Sequence, residues 1–127
     1  MAMLLVFLGG ALGSMWRYWW SGLVARRFGE TFPFGTFSVN LVGSTMIGVF
    51  SGLLTHLSSA SLATAFNQLL VVGICGGLTT FSSFSLQTYS LILAGRWGTA
   101  LSNIAFSTGL CLGGVALGWQ ITQQINF

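Results

Sequence analysis

Apolar residues fill four long runs of the chain, and short polar or glycine-rich breaks separate the runs. A membrane-spanning helix needs about 20 mostly apolar residues, and runs of that length lie at about 3–24, 34–57, 68–93 and 98–121. The pattern predicts an all-α membrane protein with four transmembrane helices. We expect residues 1–127 to form a single four-span membrane domain.

The third run contains a segment that is poorly suited to a continuous helix. Residues 76–80 read Gly-Gly-Leu-Thr-Thr, and glycine and β-branched residues both weaken a helix. We therefore expect the third helix to be broken near 76–80. Irregular backbone at membrane depth is tolerated where it is buried in protein or lines a cavity, and its freed carbonyl oxygens can coordinate a cation. The simpler alternative is a harmless kink that neighbouring helices pack against.

The composition indicates a lipid environment. Only 4% of the residues are charged and 54% are hydrophobic, whereas about a quarter of a soluble domain is charged. Four basic residues, all of them arginine, do not line a nucleic-acid track, so we expect no nucleic-acid partner. No catalytic motif occurs, and we expect that the protein is not an enzyme. Cys75 and Cys111 lie in apolar runs and are expected to be reduced.

The arginines give only a weak indication of orientation. With four spans, Arg26, Arg27 and Arg96 all fall on one side of the membrane, and the positive-inside rule makes that side cytoplasmic. Arg17 lies in the aromatic zone of the first run. We favour its snorkelling to the surface, and the alternative is that it supplies positive potential at the entrance of an anion path.

Polar and aromatic residues inside the runs suggest such a path. Polar groups at bilayer depth usually face a bundle interior or a water-filled route. Phe81 and Phe84 share one helix face, and the positive edges of their rings suit an anion. The other candidates supply hydroxyl or amide donors: Asn40, Thr80, Ser83, Asn103, Ser107 and Thr108. Simpler alternatives stay open for these residues. Phenylalanine in a membrane helix often serves only in packing, asparagine can form a hydrogen bond between helices, and serine and threonine can donate to carbonyls of their own helix.

With these residues in view, the chain resembles the Fluc (CrcB) family of fluoride channels. The resemblance rests on the stretch 76–85, together with residues 35–43 before it and 95–98 after it, and extends over essentially the whole chain. It implies an antiparallel, dual-topology homodimer with two fluoride pores. It also implies a structural sodium ion at the dimer centre, held by the backbone carbonyls of Gly76 and Thr79.

The same resemblance assigns Phe81, Phe84 and Asn40 to the pore and Ser107 to a polar track on the fourth span. Asn103 and Cys111 depart from the family on that track, and Ser83 stands where the family often has a threonine. These departures leave the composition of the track open, while the hydroxyl at position 83 is retained.

The expected function is passive efflux of fluoride, which protects the cell from this ion. The expected location is the plasma (inner) membrane of a bacterium-like cell, and the expected partners are fluoride, an inverted second copy and the lipid bilayer. One alternative is a small four-span multidrug-type proton-coupled transporter, which normally needs an acid inside the membrane that these runs lack. The other is a non-transporting membrane assembly subunit, for which glycine packing suffices but a polar line does not.

Overall fold

The computed structural model describes residues 1–29 and 31–125, and it is helical throughout most of that length. The elements, in chain order, are α1 (Ala2–Phe28), α2 (Phe34–Leu54), α3 (Ala60–Phe66), a π-helical segment (Asn67–Cys75), α4 (Gly76–Leu78), α5 (Phe81–Leu93) and α6 (Trp97–Gln123). No strand occurs in the described residues. The elements from α3 to α5 follow one another without a long connection, and we call Ala60–Leu93 the broken span.

Within the described residues, three helical stretches are long and apolar enough to cross a membrane: Phe34–Leu54, Ala60–Leu93 and Trp97–Gln123. Helix α1 has 27 residues but does not qualify, because Arg17 and the surrounding tryptophan and tyrosine residues reduce its apolar character. The count of four helical stretches agrees with the sequence, and the crossing of the membrane by α1 stays a prediction.

The connections at one end of the molecule are short and tied together. Gly29 ends α1 with φ of 76°, and Gly95 has φ of 72° in the turn before α6, a region that favours glycine. The Arg96 guanidinium donates to the carbonyl of Thr31. The 1–2 and 3–4 connections therefore meet at the same end of the molecule, as the sequence predicts.

Close helix contacts rest on small residues. A Cβ on Gly13 would overlap with the Ile74 carbonyl oxygen, and one on Gly118 would lie 2.5 Å from the Thr45 carbonyl oxygen. These contacts join α1 to the π-helical segment and α2 to α6, as expected for small residues at interfaces in lipid. The buried apolar core is small: Val39, Cys75, Leu78, Leu91 and Ala100. Most large apolar side chains face outward, where only lipid or another protein can cover them.

The predicted break is present and is narrower than the sequence indicates. Thr79 (ψ 154°) and Thr80 (φ −150°, ψ 117°) have extended backbone, whereas Gly76–Leu78 remains helical. Gly77 stays helical against α1, where an added Cβ would lie 2.5 Å from the Gly10 carbonyl oxygen. The π-helical turns that precede the break were not predicted. Such turns often occur at functional sites.

Candidate functional site

Asn40 of α2 holds the backbone of the break. Its Nδ2 donates to the Thr80 carbonyl at 3.0 Å, and its Oδ1 accepts from the Thr80 N–H at 2.7 Å. Thr80 is 8% exposed, so these bonds replace the partners that a continuous helix would give. The interhelical hydrogen bond that the sequence left as an alternative is therefore formed. A direct role for Asn40 with an ion stays a prediction, since its amide has a second N–H.

Arg17 of α1 reaches the other residue of the break. Its Nη1 donates to the Thr79 carbonyl at 3.2 Å, which is not the snorkelling position that the sequence favoured. The N–H of Thr79 donates to the Cys75 carbonyl at 2.9 Å. Both backbone groups of both break residues are thus satisfied, by Arg17, Asn40 and Cys75. The break is a specifically supported structure, unlike an incidental kink.

Helix α5 begins directly after the break, and its first turn is capped by Thr80. The Thr80 hydroxyl accepts from the Ser83 N–H at 3.2 Å, as is usual for a threonine at an N-cap. This cap fixes the direction in which α5 projects its first residues. Phe81 and Phe84 follow with ring centroids 5.6 Å apart and planes at 45°.

A groove of about 290 Å³ opens beside the break and gathers most of the predicted residues. Its lining comprises Asn40, Ser44, Ile47, Thr79, Thr80, Phe81, Phe84, Ser107, Thr108 and Cys111. The residues come from α2, the broken span and α6, so tertiary packing brings together side chains that are far apart in sequence. No residue of the lining is charged, and the nearest guanidinium, that of Arg17, contacts it through the Thr79 carbonyl. Phe81 is 78% exposed, and the groove is therefore open on the side where Phe81 lies.

Two predicted residues lie away from this groove. Ser83 lines a second cavity, and its Oγ accepts from the Thr80 hydroxyl at 3.2 Å. Asn103 is only 1% exposed and bonds to Thr88 and Ser107 inside the α5–α6 contact. Helix packing turns Asn103 inward, while Ser107, one turn later, reaches the groove. A direct contact of Asn103 with the path stays a prediction.

The second cavity has a volume of about 600 Å³ and lies toward the end where α1 meets α2. Its polar lining includes Ser21, Thr36, Ser83, Gln87 and Ser90. The Gln87 Oε1 is buried and has no hydrogen-bond partner among the described residues. Because Ser83 lines this cavity and Thr80 lines the groove, their hydroxyl contact lies between the two spaces.

Sequence reasoning missed the full polar face of α2. Thr36, Asn40 and Ser44 are four residues apart, which places them on one helix face. The structure distributes them between the larger cavity and the groove. The spacing was visible in the sequence, and it would have found Thr36 and Ser44. Gln87 carried no comparable signal, because a single polar residue near a span end is common.

The chain is similar to known proteins over nearly its entire length. Residues 4–119 match the family model described as CrcB-like protein, Camphor Resistance (CrcB). A relative from Opitutus terrae, named Fluoride-specific ion channel FluC, is 49% identical over 97% of this chain and 93% of its own length. A protein of the same name from Rhodospirillum rubrum is 47% identical over 99% and 98%. Fluoride-specific ion channel FluC 3 from Brucella suis is 46% identical over 93% and 89%.

Proposed function

The chain belongs to the CrcB-like family, and from this premise we propose that it is a fluoride-selective channel for passive fluoride efflux, and not an enzyme. The observation that carries the proposal is the uncharged groove where two phenylalanine rings meet amide and hydroxyl groups from α2 and α6. Fluoride is a small, strongly hydrated ion that accepts hydrogen bonds well. Such donors replace its water, and the absence of a cation from the lining favours release.

The path runs from the larger cavity to the groove along the polar face of α2. Thr36 belongs to the cavity, and Asn40 and Ser44 belong to the groove. An ion leaving the Thr80–Ser83 hydroxyl pair passes the edges of Phe81 and Phe84, which carry partial positive charge. In the proposed dimer the second copy narrows this open groove, and a narrow path rich in donors is the basis of selectivity against larger halides.

In the proposed dimer a second copy in inverted orientation closes the groove, and α1 crosses the membrane as the first of the four spans of each copy. Phe81 is 78% exposed, and Ser82 and Thr108 are exposed polar residues beside it on α5 and α6. Polar side chains at membrane depth usually face protein or water. An inverted pair meeting at broken helices is an established architecture for ion sites near the midplane.

We propose that carbonyl groups at the break hold the sodium ion that the family resemblance implies. The Gly76 carbonyl loses its usual helical donor, because the Thr80 N–H donates to Asn40. The Thr79 carbonyl accepts from Arg17 and retains a second lone pair. Oxygen ligands suit a hard cation. In the proposed dimer Gly76 and Thr79 hold sodium as a structural ion, with Gly76 the stronger ligand because no guanidinium competes for its oxygen.

The chain is a multi-pass membrane protein, and we place it in the plasma (inner) membrane of a bacterium-like cell. The apolar surface of its helices requires lipid. An efflux channel can protect a cell only when it is located in the membrane that encloses the cytoplasm. The multidrug-type transporter and the assembly subunit find no support in the names of the relatives.

Flux from liposomes tests the function. Purified protein in liposomes loaded with fluoride or chloride should release fluoride with charge movement and without proton exchange. Replacing Phe81 or Phe84 with isoleucine preserves apolar bulk and removes the ring edge, and flux should fall at least tenfold. Phe106→Ile is the matched control, because Phe106 is exposed on α6 and does not line the groove. Equal chloride flux, or proton-dependent flux, would overturn the proposed function.

A further inference from the structure

Asn103 connects the groove to the interior through a short series of hydrogen bonds. The Ser107 hydroxyl, which belongs to a residue lining the groove, donates to the Asn103 Oδ1 at 3.3 Å. The Asn103 Nδ2 donates to the Thr88 hydroxyl at 2.9 Å. Asn103 is 1% exposed, so it acts on the groove only through Ser107.

The direction of this series is fixed by Thr88. A hydroxyl has one proton to donate, and the Thr88 hydroxyl donates to the Phe84 carbonyl at 2.7 Å. Thr88 can therefore only accept from Asn103. The amide nitrogen must face Thr88, and the amide oxygen must face Ser107. The proton count of the Thr88 hydroxyl therefore fixes the orientation of the amide.

The Ser107 hydroxyl likewise has only one proton to donate. While that proton points to Asn103, the Ser107 oxygen presents lone pairs to the groove, and lone pairs repel an anion. An anion at this position gains a donor only when the hydroxyl rotates, and the buried Asn103 oxygen then loses its partner. An oxygen left unpaired in a buried position is costly.

Resting on the proposed function, we propose that Asn103 is a positioning residue that weakens fluoride binding at Ser107 by competing for the Ser107 proton. The competition keeps the ion from being held too long in a groove rich in donors. The Ser107 to Asn103 bond is long at 3.3 Å, and it therefore yields to a strong acceptor such as fluoride. Asn103 lowers affinity and raises the rate of release.

The experiment measures fluoride flux from liposomes as a function of fluoride concentration. Asn103→Leu removes the competing oxygen with little change in volume. The fluoride concentration giving half-maximal flux should fall about five- to tenfold, the factor supplied by one ordinary hydrogen bond, and maximal flux should fall with slower release. In a Ser107→Ala background the same replacement should leave half-saturation unchanged. Ser102→Ala is the control, because Ser102 bonds to its own helix and lies outside the groove.

A second variant keeps the test decisive if Asn103→Leu does not fold. Thr88→Val removes the hydroxyl that fixes the orientation of the Asn103 amide. The amide can then turn its nitrogen toward Ser107, and the Ser107 hydroxyl is free to donate to an anion in the groove. Half-saturation should fall in the same direction. An unchanged half-saturation in both folded variants, or an equal shift in the Ser107→Ala background, would overturn the role of Asn103 alone. A wild-type protein that does not conduct fluoride would overturn this role together with the proposed function.

Discussion

Replacing Asn40 with leucine should destabilise the fold as well as reduce flux. The wild-type amide makes two hydrogen bonds, of 2.7 and 3.0 Å, to the backbone of a residue that is 8% exposed. Leucine has nearly the same volume and leaves both backbone groups of Thr80 without a partner. We expect this change to appear as a lower free energy of unfolding.

The magnitude follows from comparing two effects. A buried polar group left unpaired costs about 1–3 kcal/mol, which gives roughly 2–6 kcal/mol for two groups. Hydrogen bonds between membrane helices are typically worth less, about 0.6 kcal/mol on average, because the unfolded chain in the membrane also finds partners. The extended backbone of Thr80 cannot recover helical partners while the break persists. We therefore expect about 2–4 kcal/mol.

The assay is reversible unfolding in mixed detergent micelles, followed by tryptophan fluorescence at a fixed protein concentration. A fixed concentration is needed because the stability of a dimer depends on it. Ser44→Ala is the matched control, because Ser44 lies one turn further along α2 and lines the same groove. It should reduce flux with a change in stability of less than about 0.5 kcal/mol. If Asn40→Leu abolished flux and left stability at the wild-type value, Asn40 would bind the ion and would not support the break.

Three other changes test the remaining parts of the site. Gly76→Leu should abolish dimer assembly in crosslinking and size measurements, although within the chain the nearest atom to an added Cβ is 3.9 Å away. If the Gly76→Leu protein formed dimers as well as the Gly98→Leu control, a closely packed partner at Gly76 would be excluded. Arg17→Leu should lower stability by about 1–2 kcal/mol because the Thr79 carbonyl loses its donor, and a loss no larger than that of the exposed Arg27→Leu would refute this support. A small charged thiol reagent should block flux by modifying Cys111, and block that persists in Cys111→Ala would show that the groove is not its target.

The sequence was sufficient for the general architecture and for the break. Long apolar runs have few alternatives in lipid, because unpaired backbone groups are too costly there. The Thr-Thr pair after two glycines was a local signal, and the structure places the extended backbone at Thr79 and Thr80. The sequence did not predict the π-helical turns before the break, since the same residues are compatible with an ordinary helix.

The candidate site was only partly predictable. Residue type and spacing identified Phe81, Phe84 and Ser107, which the structure brings to one groove. Spacing alone assigned Asn103 to the same face as Ser107, although the rotation of α6 against α5 buries it. Arg17 had two interpretations from sequence, and neither of them included the contact with the Thr79 carbonyl that the structure shows. Its role as an entrance charge stays a prediction. A helix periodicity gives relative angles around an axis, and only packing fixes which angle faces the path.

What the sequence by itself determined is therefore everything that depends on local chemistry: helices made of apolar runs, an absence of charge within most of them, and a glycine–threonine segment that resists a continuous helix. The tertiary structure decided which polar groups are used to support the backbone and which remain for an ion. Asn40 and Arg17 donate to the backbone carbonyls of the break, and Asn103 accepts a hydrogen bond from the Ser107 hydroxyl. These assignments join residues from separate helices, and the partner of a hydrogen-bond donor is set by distance in space, which no spacing along the chain specifies.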